Sequence, residues 1–232
     1  MKVKLISHSQ VPAYDLDVMN MSDDMLQLVA YCARVSNPNN QNNKETSEKL
    51  VKYLVKHKHW SPLEMVSVCI EIETTRDIAR QILRHRSFSF QEFSQRYADP
   101  TKDLELIPRE ARFQDLKNRQ NSIPIDTTDD SQRRINEDFR MKQMAFIRQA
   151  KELYGWAIDN GIAKEQARAV LPEGNTVSRM YVNGTLRSWI HYVELRSANG
   201  TQQEHMDIAK QCAAVIAKIF PLVNDYVGND IA

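Results

Sequence analysis

The chain has 232 residues, enough to bury a substantial core, and it stands between the upper end of one domain and the lower end of two; one domain over 1–232 is the expectation. Thirty-one Lys and Arg against 30 Asp and Glu leave a formal charge of +1, which excludes a global field able to coat nucleic acid or a membrane surface. Cys32, Cys69 and Cys212 are far apart with no CxxC, there is no apolar signal core in MKVKLISHSQ, and no run of about 18 apolar residues could span a bilayer. These features exclude a disulfide framework and predict a cytoplasmic protein that is neither exported nor membrane-bound.

The first residues alternate like a strand. Ser22-Asp23-Asp24 offers a helix start, with Met25, Leu26, Val29, Ala30 and Ala33 as its apolar face and Ala33-Arg34-Val35-Ser36 as its end. After an asparagine-rich turn a second helix is predicted from about Thr46, burying Leu50, Val51, Leu54 and Val55, and His57-Lys58-His59-Trp60-Ser61-Pro62 breaks it. From Met65 to Thr74 the alternation is strict, with Val66, Val68, Ile70 and Ile72 on one side and Ser67, Cys69, Glu71 and Glu73 on the other, which predicts a strand. Thr74 and Thr75 are placed to cap the next helix, whose Ile78, Ile82 and Leu83 face inward and leave Arg76, Arg80 and Arg84 stacked on the opposite side.

A polar segment at about 98–131 carries Pro100, Pro108 and Pro124 and reads as a surface excursion. Ser131 to Asn160 is the longest helical stretch, with Ile135, Phe139, Ile147, Ala150, Leu153, Tyr154 and Ile158 near one face and Gly161 beyond it. A short helix ends before Pro172, a strand from Thr176 to Val182 closes at Asn183-Gly184, and a helix runs from Thr185 to Arg196. The last helix opens on the capping box Thr201-x-x-Glu204 and is interrupted at Pro221. Strands and helices mix without a regular βαβ alternation, so the fold class is α+β, a small, mostly antiparallel sheet packed with several helices.

The six glycines form neither a dinucleotide fingerprint nor a Walker loop, and HExxH is absent. His57-Lys58-His59 alone reads as a solvated helix end, and the cysteines as packing residues. What carries chemistry is arginine: Arg84-His85-Arg86, then Arg96 after Ser94, then Arg168, Arg187 and Arg196. The planar guanidinium grips phosphate or carboxylate through two parallel hydrogen bonds, so a local cluster in a near-neutral chain points to a small anion. Arg187 and Arg196, nine residues apart, fall on opposite sides of a helix and serve different parts of a ligand. One rival is an arginine-rich nucleic-acid-binding module with Phe88, Phe90 or Phe93 stacking on bases. Another is a phosphatase or nucleotide hydrolase, for which no metal cluster or nucleophile is evident.

RHRSFSFQEFSQRY resembles the RHR-x7-S signature of flavin-dependent thymidylate synthases. ARVS (33–36), HWSPLE (59–64), RQILRHR (80–86), ARAVLP (167–172) and LRSWIHYVELR (186–196) follow in that family's order. The resemblance implies a thymidylate synthase complementing-protein-like fold, bound FAD, NADPH as reductant, 5,10-methylenetetrahydrofolate as carbon donor, dUMP as substrate, and a homotetramer with active sites between subunits. It places Ser36, Ser61, Arg84, His85, Arg86, Glu92, Arg187 and His191 around FAD. It brings Gln81, Arg84, Glu92, Phe93, Ser94, Gln95, Arg96, Arg168 and Arg196 to dUMP. Arg196 takes the chemical role, as a cation beside the uracil carbonyl that favours ionisation at N3. Ser94 binds and orients, since no base stands beside it. Met65, Gln91 and His191 depart from residues frequent in the family, as does the polar stretch at Gly200.

Overall fold

The computed structural model describes residues 1–12 and 25–228, so the helix start expected at Ser22-Asp23-Asp24 lies outside the described residues. Its centre is a four-stranded antiparallel sheet of β1 (Lys2–His8), β2 (Ser67–Thr75), β3 (Ser89–Glu92) and β6 (Val177–Thr185), in the order β1-β2-β6-β3. Val66, Val68, Ile70 and Ile72 are at most 1% exposed, and each such burial contributes about 1.5–3 kcal/mol. A slip of one residue would send Cys69, Glu71 and Glu73 inward instead, so the alternation read from the sequence also fixes the register. The outer face pairs Lys2 with Glu73 and Glu73 with Arg179. The sheet confirms the expected α+β class.

Helices cover the inner face. α1 (Met25–Ala33) packs on α2 (Ser47–Lys56), α3 (Arg76–Ile82) leaves the end of β2, and α7 (Leu186–Arg196) leaves the end of β6 and lies beside α8 (Gln203–Ile216). Trp189 pins α7 to the sheet by donating its indole N–H to the Val68 carbonyl at 3.0 Å. β6 runs through Asn183-Gly184, where the sequence suggested a close, because Gly184 leaves room for a ring: a Cβ there would stand 2.3 Å from Phe88 Cδ1. After α8 the described residues turn through a short 3-10 helix at Pro221–Tyr226, in place of a continued helix.

The segment at 98–131 is tied in rather than a free excursion. It holds a short helix α4 (Pro100–Asp103), buried Leu104 and Leu106, a bridge from Leu106 to Thr176, and a hairpin of β4 (Arg112–Gln114) and β5 (Ser122–Pro124). α5 (Asp130–Asp159) is capped by Asp129 and buries Ile147, Ala150, Tyr154 and Ala157, while Ile135, Phe139 and Leu153 of the expected face stay exposed. α6 (Lys164–Ala167) follows.

Two helices end in the same way. After α5, Gly161 (φ 76°) donates to the Ile158 carbonyl and Ile162 to that of Ala157. After α2, Lys58 (φ 58°) donates to Val55 and His59 to Leu54, the same reciprocal closure in the left-handed conformation that glycine takes without steric cost. For a residue with a Cβ that conformation costs about 1–2 kcal/mol. Two expected caps are absent: Thr75 makes no side-chain cap bond and its Oγ1 accepts from Arg109, while Glu204 of the supposed capping box turns to arginines.

A candidate active site around His85 and Arg196

α3 ends at Ile82, so Arg84 does not continue the face shared by Arg76 and Arg80. Arg76 is buried and lies 3.7 Å from Glu92 and 3.1 Å from Glu173, and Arg80 lies 3.7 Å from Glu92 and 3.8 Å from Glu173. The anions opposite these two arginines are therefore the protein's own carboxylates. Arg84 and Arg86 project from the turn that follows, exposed, with no ion pair or side-chain hydrogen bond among the described residues. A nucleic-acid module would need the four arginines in a row, and the burial of Arg76 removes that arrangement.

Between Arg84 and Arg86 the chain turns His85 inward, where Arg196, at the last position of α7, donates its Nε–H to His85 Nε2 at 2.9 Å. Burial first, then Arg196 and Arg84, push the His85 pKa down to about 4, so the imidazole is neutral and its Nε2 is free to accept. This bond fixes the guanidinium and leaves its terminal nitrogens for another partner.

Behind the pair lies a chain of polar groups. His205, fully buried on α8, donates from Nδ1 to Gln81 Oε1 at 3.1 Å; Gln81 Nε2 donates to Gln202 Oε1 at 2.8 Å; and Gln202 Nε2 donates to Glu204 Oε2 at 3.0 Å. Burial alone would raise the Glu204 carboxyl, but hydrogen bonds headed by that from Arg112 hold it below its usual range. Every donor in the run points toward this carboxylate. His205 is driven to about 3 by burial, Arg196 and His85, and its Nε2 and the Tyr192 hydroxyl are buried without a partner.

The remaining expected residues fall into separate groups. Ser94 Oγ accepts from the Arg96 backbone at 3.4 Å, Gln95 is buried, Phe93 N–H donates to the Arg179 carbonyl at 2.8 Å, and Arg96 pairs with Glu165 at 3.3 Å. Arg168 sits in the turn after α6. Glu92 accepts from Ser178 at 2.8 Å besides facing its arginines. Arg187 pairs with Glu64, and His191 lies 4.4 Å, centroid to centroid, from Trp60. Ser61 opens the turn to Glu64, and Ser36 lines a cavity of about 530 Å³ between α1 and α2. Arg187 and Arg196 thus do face different surroundings, as their spacing requires.

Sequence reasoning missed His205, Gln202 and Glu204 because the run Gln202-Gln203-Glu204-His205 reads as an ordinary helix opening. It also missed Tyr192, although Tyr192 precedes Arg196 by one turn on α7, a spacing that sets both on one face.

Residues 17–222 match the family model described as thymidylate synthase complementing protein. The chain is 49% identical over 197 residues to the "Probable flavin-dependent thymidylate synthase" of Paramecium bursaria Chlorella virus 1, covering 85% of this chain and 88% of that protein. It is 49% identical over 196 residues to the flavin-dependent thymidylate synthase of Synechocystis, covering 84% and 86%. A UMP/dUMP methylase, PolB of Streptomyces cacaoi, solved bound with 5-Br dUMP, superposes with a TM-score of 0.75 at 25% identity, covering 97% of this chain and 93% of that one.

Proposed function

The chain belongs to the thymidylate synthase complementing protein family, and from that premise we propose that it methylates dUMP to dTMP as an FAD-dependent synthase, with 5,10-methylenetetrahydrofolate as carbon donor and NADPH as reductant. The observation that carries the reading is Arg196 held by a neutral His85 inside the RHR motif. A cation fixed in that way beside a uracil carbonyl stabilises the ring with its N3 proton removed, and an adjacent opposite charge shifts such a pKa by about 1–3 units.

FAD fits the donors present: Arg84 and Arg86 are exposed cations suited to a diphosphate, and the neutral His85 between them offers an aromatic edge rather than a charge. When bound, the flavin supplies reducing equivalents to the one-carbon unit. The chain's own part is to bind and polarise. Ser94 and Gln95 orient the nucleotide, Arg96 and Arg168 supply charge for its phosphate, and Gln81, held by His205 and Gln202, presents a fixed amide. A cysteine nucleophile is disfavoured, since burial pushes all three thiols up, Cys212 furthest. Ser94 has no base beside it, which leaves it a binding role.

Among the described residues, the Ser36, Arg187–Glu64 and Trp60–His191 groups share no hydrogen bond or ion pair with the His85–Arg196 pair. α5 leaves Phe139, Met144, Phe146 and Trp156 exposed. Both features support a homotetramer whose sites draw residues from several subunits. Mixing Arg196→Ala subunits with Arg86→Ala subunits tests this, and the reading predicts partial recovery of dTMP formation in verified mixed tetramers. Purified protein should be yellow, release FAD on denaturation and form dTMP only with dUMP, the folate and a reductant all present. Colourless protein that takes up no added FAD would refute the assignment.

A further inference from the structure

Each group in the run between Glu204 and His205 can bond in one sense only, and a single carboxylate decides that sense. Glu204 is held ionised below its usual range, so it only accepts: from Arg112, from Arg109 at 3.3 Å and from Gln202 Nε2 at 3.0 Å. With its nitrogen committed there, Gln202 offers its Oε1 to Gln81, which must supply its own nitrogen, at 2.8 Å. The Gln81 oxygen is left for His205 Nδ1 at 3.1 Å, so the neutral imidazole carries its proton on Nδ1. Its buried Nε2 is then a bare lone pair rather than an N–H with nowhere to donate.

This order matters most at Gln81. A carboxamide has an oxygen at one corner and a nitrogen at the other, and nothing in its own shape says which goes where. The corner beside His205 is closed off by a fully buried ring, whereas the neighbour at the other corner, Gln202, is partly exposed. The atom open to a ligand is therefore the nitrogen, whose second N–H has no partner among the described residues. Glu204 reaches it through Gln202 and is itself gripped by the 98–131 segment. Arg109 of that segment is anchored again on Asp77 at 2.6 Å and on the Thr75 hydroxyl at 2.5 Å.

We infer that Glu204 is a positioning residue for the nucleotide: because it only accepts, it turns the Gln81 amide so that an N–H faces the ligand, and the ligand atom met there is an acceptor, a nucleoside oxygen or a phosphate oxygen. The inference rests on the reading of the protein as a dUMP-methylating synthase and gives the 98–131 segment a part in that site without contact with the ligand. Glu204→Gln should reverse the run rather than break it. Arg112 keeps an oxygen opposite its own donor, which turns the new amide nitrogen toward Gln202. Gln202 then accepts and passes its nitrogen to Gln81, Gln81 gives its nitrogen to His205, and the imidazole proton moves from Nδ1 to Nε2. The corner open to the nucleotide becomes an oxygen facing an oxygen.

Purified wild type and Glu204→Gln are compared by 15N NMR of histidine-labelled protein, with His205→Gln used to assign the signal, and by calorimetric titration with dUMP and with deoxyuridine. The wild type should carry the His205 proton on Nδ1, and Glu204→Gln on Nε2 with dUMP bound about tenfold more weakly. An equal loss for deoxyuridine places the N–H on the nucleoside, and a loss confined to dUMP places it on the phosphate. Gln202→Met cuts the run while Glu204 keeps both arginines, so it should weaken dUMP to a similar degree even where Glu204→Gln, with its arginines no longer neutralised, fails to fold. A wild-type proton on Nε2 overturns the inference, and so does an unmoved proton in Glu204→Gln. So does either variant binding dUMP as tightly as the wild type. If the wild type binds no dUMP and forms no dTMP, the proposed function fails while the His205 signal still decides whether Glu204 sets the amide.

Discussion

His205 should make the protein acid-labile, and the size of the effect follows from its surroundings. Its side chain is fully buried, and its folded pKa of about 3 lies far below the 6.5 of a free imidazole. A group depressed in this way takes its proton in the unfolded chain first, so stability is intact above 6.5, falls as pH drops through the window between 6.5 and the folded value, and levels off below it. At about pH 5 an unfolded imidazole is almost fully protonated and the buried one hardly at all, a difference worth about 2 kcal/mol. His85, displaced to about 4 but only half-buried, adds less in the same direction. Against a total stability of about 5–15 kcal/mol this is a large fraction. Urea unfolding of the wild type and of His205→Gln, at one protein concentration and a series of pH values from about 7 to 5, isolates the term. The glutamine can still donate to Gln81, and whatever it costs at neutral pH, its stability should fall by about 2 kcal/mol less than that of the wild type across the window. Parallel losses in the two proteins would refute the assignment of His205 as a buried neutral imidazole.

Gly184→Ala would drive a methyl group into the Phe88 ring, and overpacking of this kind costs about 1–3 kcal/mol, seen as a lower melting temperature together with reduced flavin retention because Phe88 follows Arg86 in the same turn. Arg196→Lys keeps the charge but loses the Nε–H that meets His85, so kcat for dTMP should fall by about a hundredfold or more while flavin content stays near wild type. Thiol labelling of the native protein with an aromatic disulfide should modify Cys32 and Cys69 slowly and Cys212 only on unfolding, since Cys212 is fully enclosed.

β1, β2, β6 and most helices were legible because one force, burial of apolar side chains at a fixed period, shapes both the sequence and the structure, whereas the short strands β3, β4 and β5 carry too few residues to show a period. β2 shows this best: its alternation appears in the sequence, in the burial and in the pairing with β6. α5 shows the limit, since its apolar residues mark a helix but not what covers them, and Ile135, Phe139 and Leu153 remain exposed. The motif arginines were legible as a set, yet their partners were not. Glu92 and Glu173 reach Arg76 and Arg80 only through the fold, and the Gln81–Gln202–Glu204 run joins residues more than a hundred positions apart. The segment at 98–131 reads as a loop because its hold on the body comes from single residues such as Arg109, which ties Asp77 to Glu204, and no periodicity announces such a tie.

The seven residues between Arg86 and Ser94 contain β3, paired residue for residue with β6 from Ser89 opposite Asn183 to Glu92 opposite Met180. Phe88, Phe90 and Glu92 turn inward while Ser89 and Gln91 stay exposed, so the spacer carries a parity as well as a length. One inserted or deleted residue would exchange the two sets along part of this strand, bringing a serine or glutamine against the helices and turning phenylalanine to solvent. Substitutions at Ser89 and Gln91 leave that parity untouched. Mutation can therefore rewrite those two letters freely, whereas a one-codon insertion or deletion there is a frameshift of the fold itself, even though the reading frame survives.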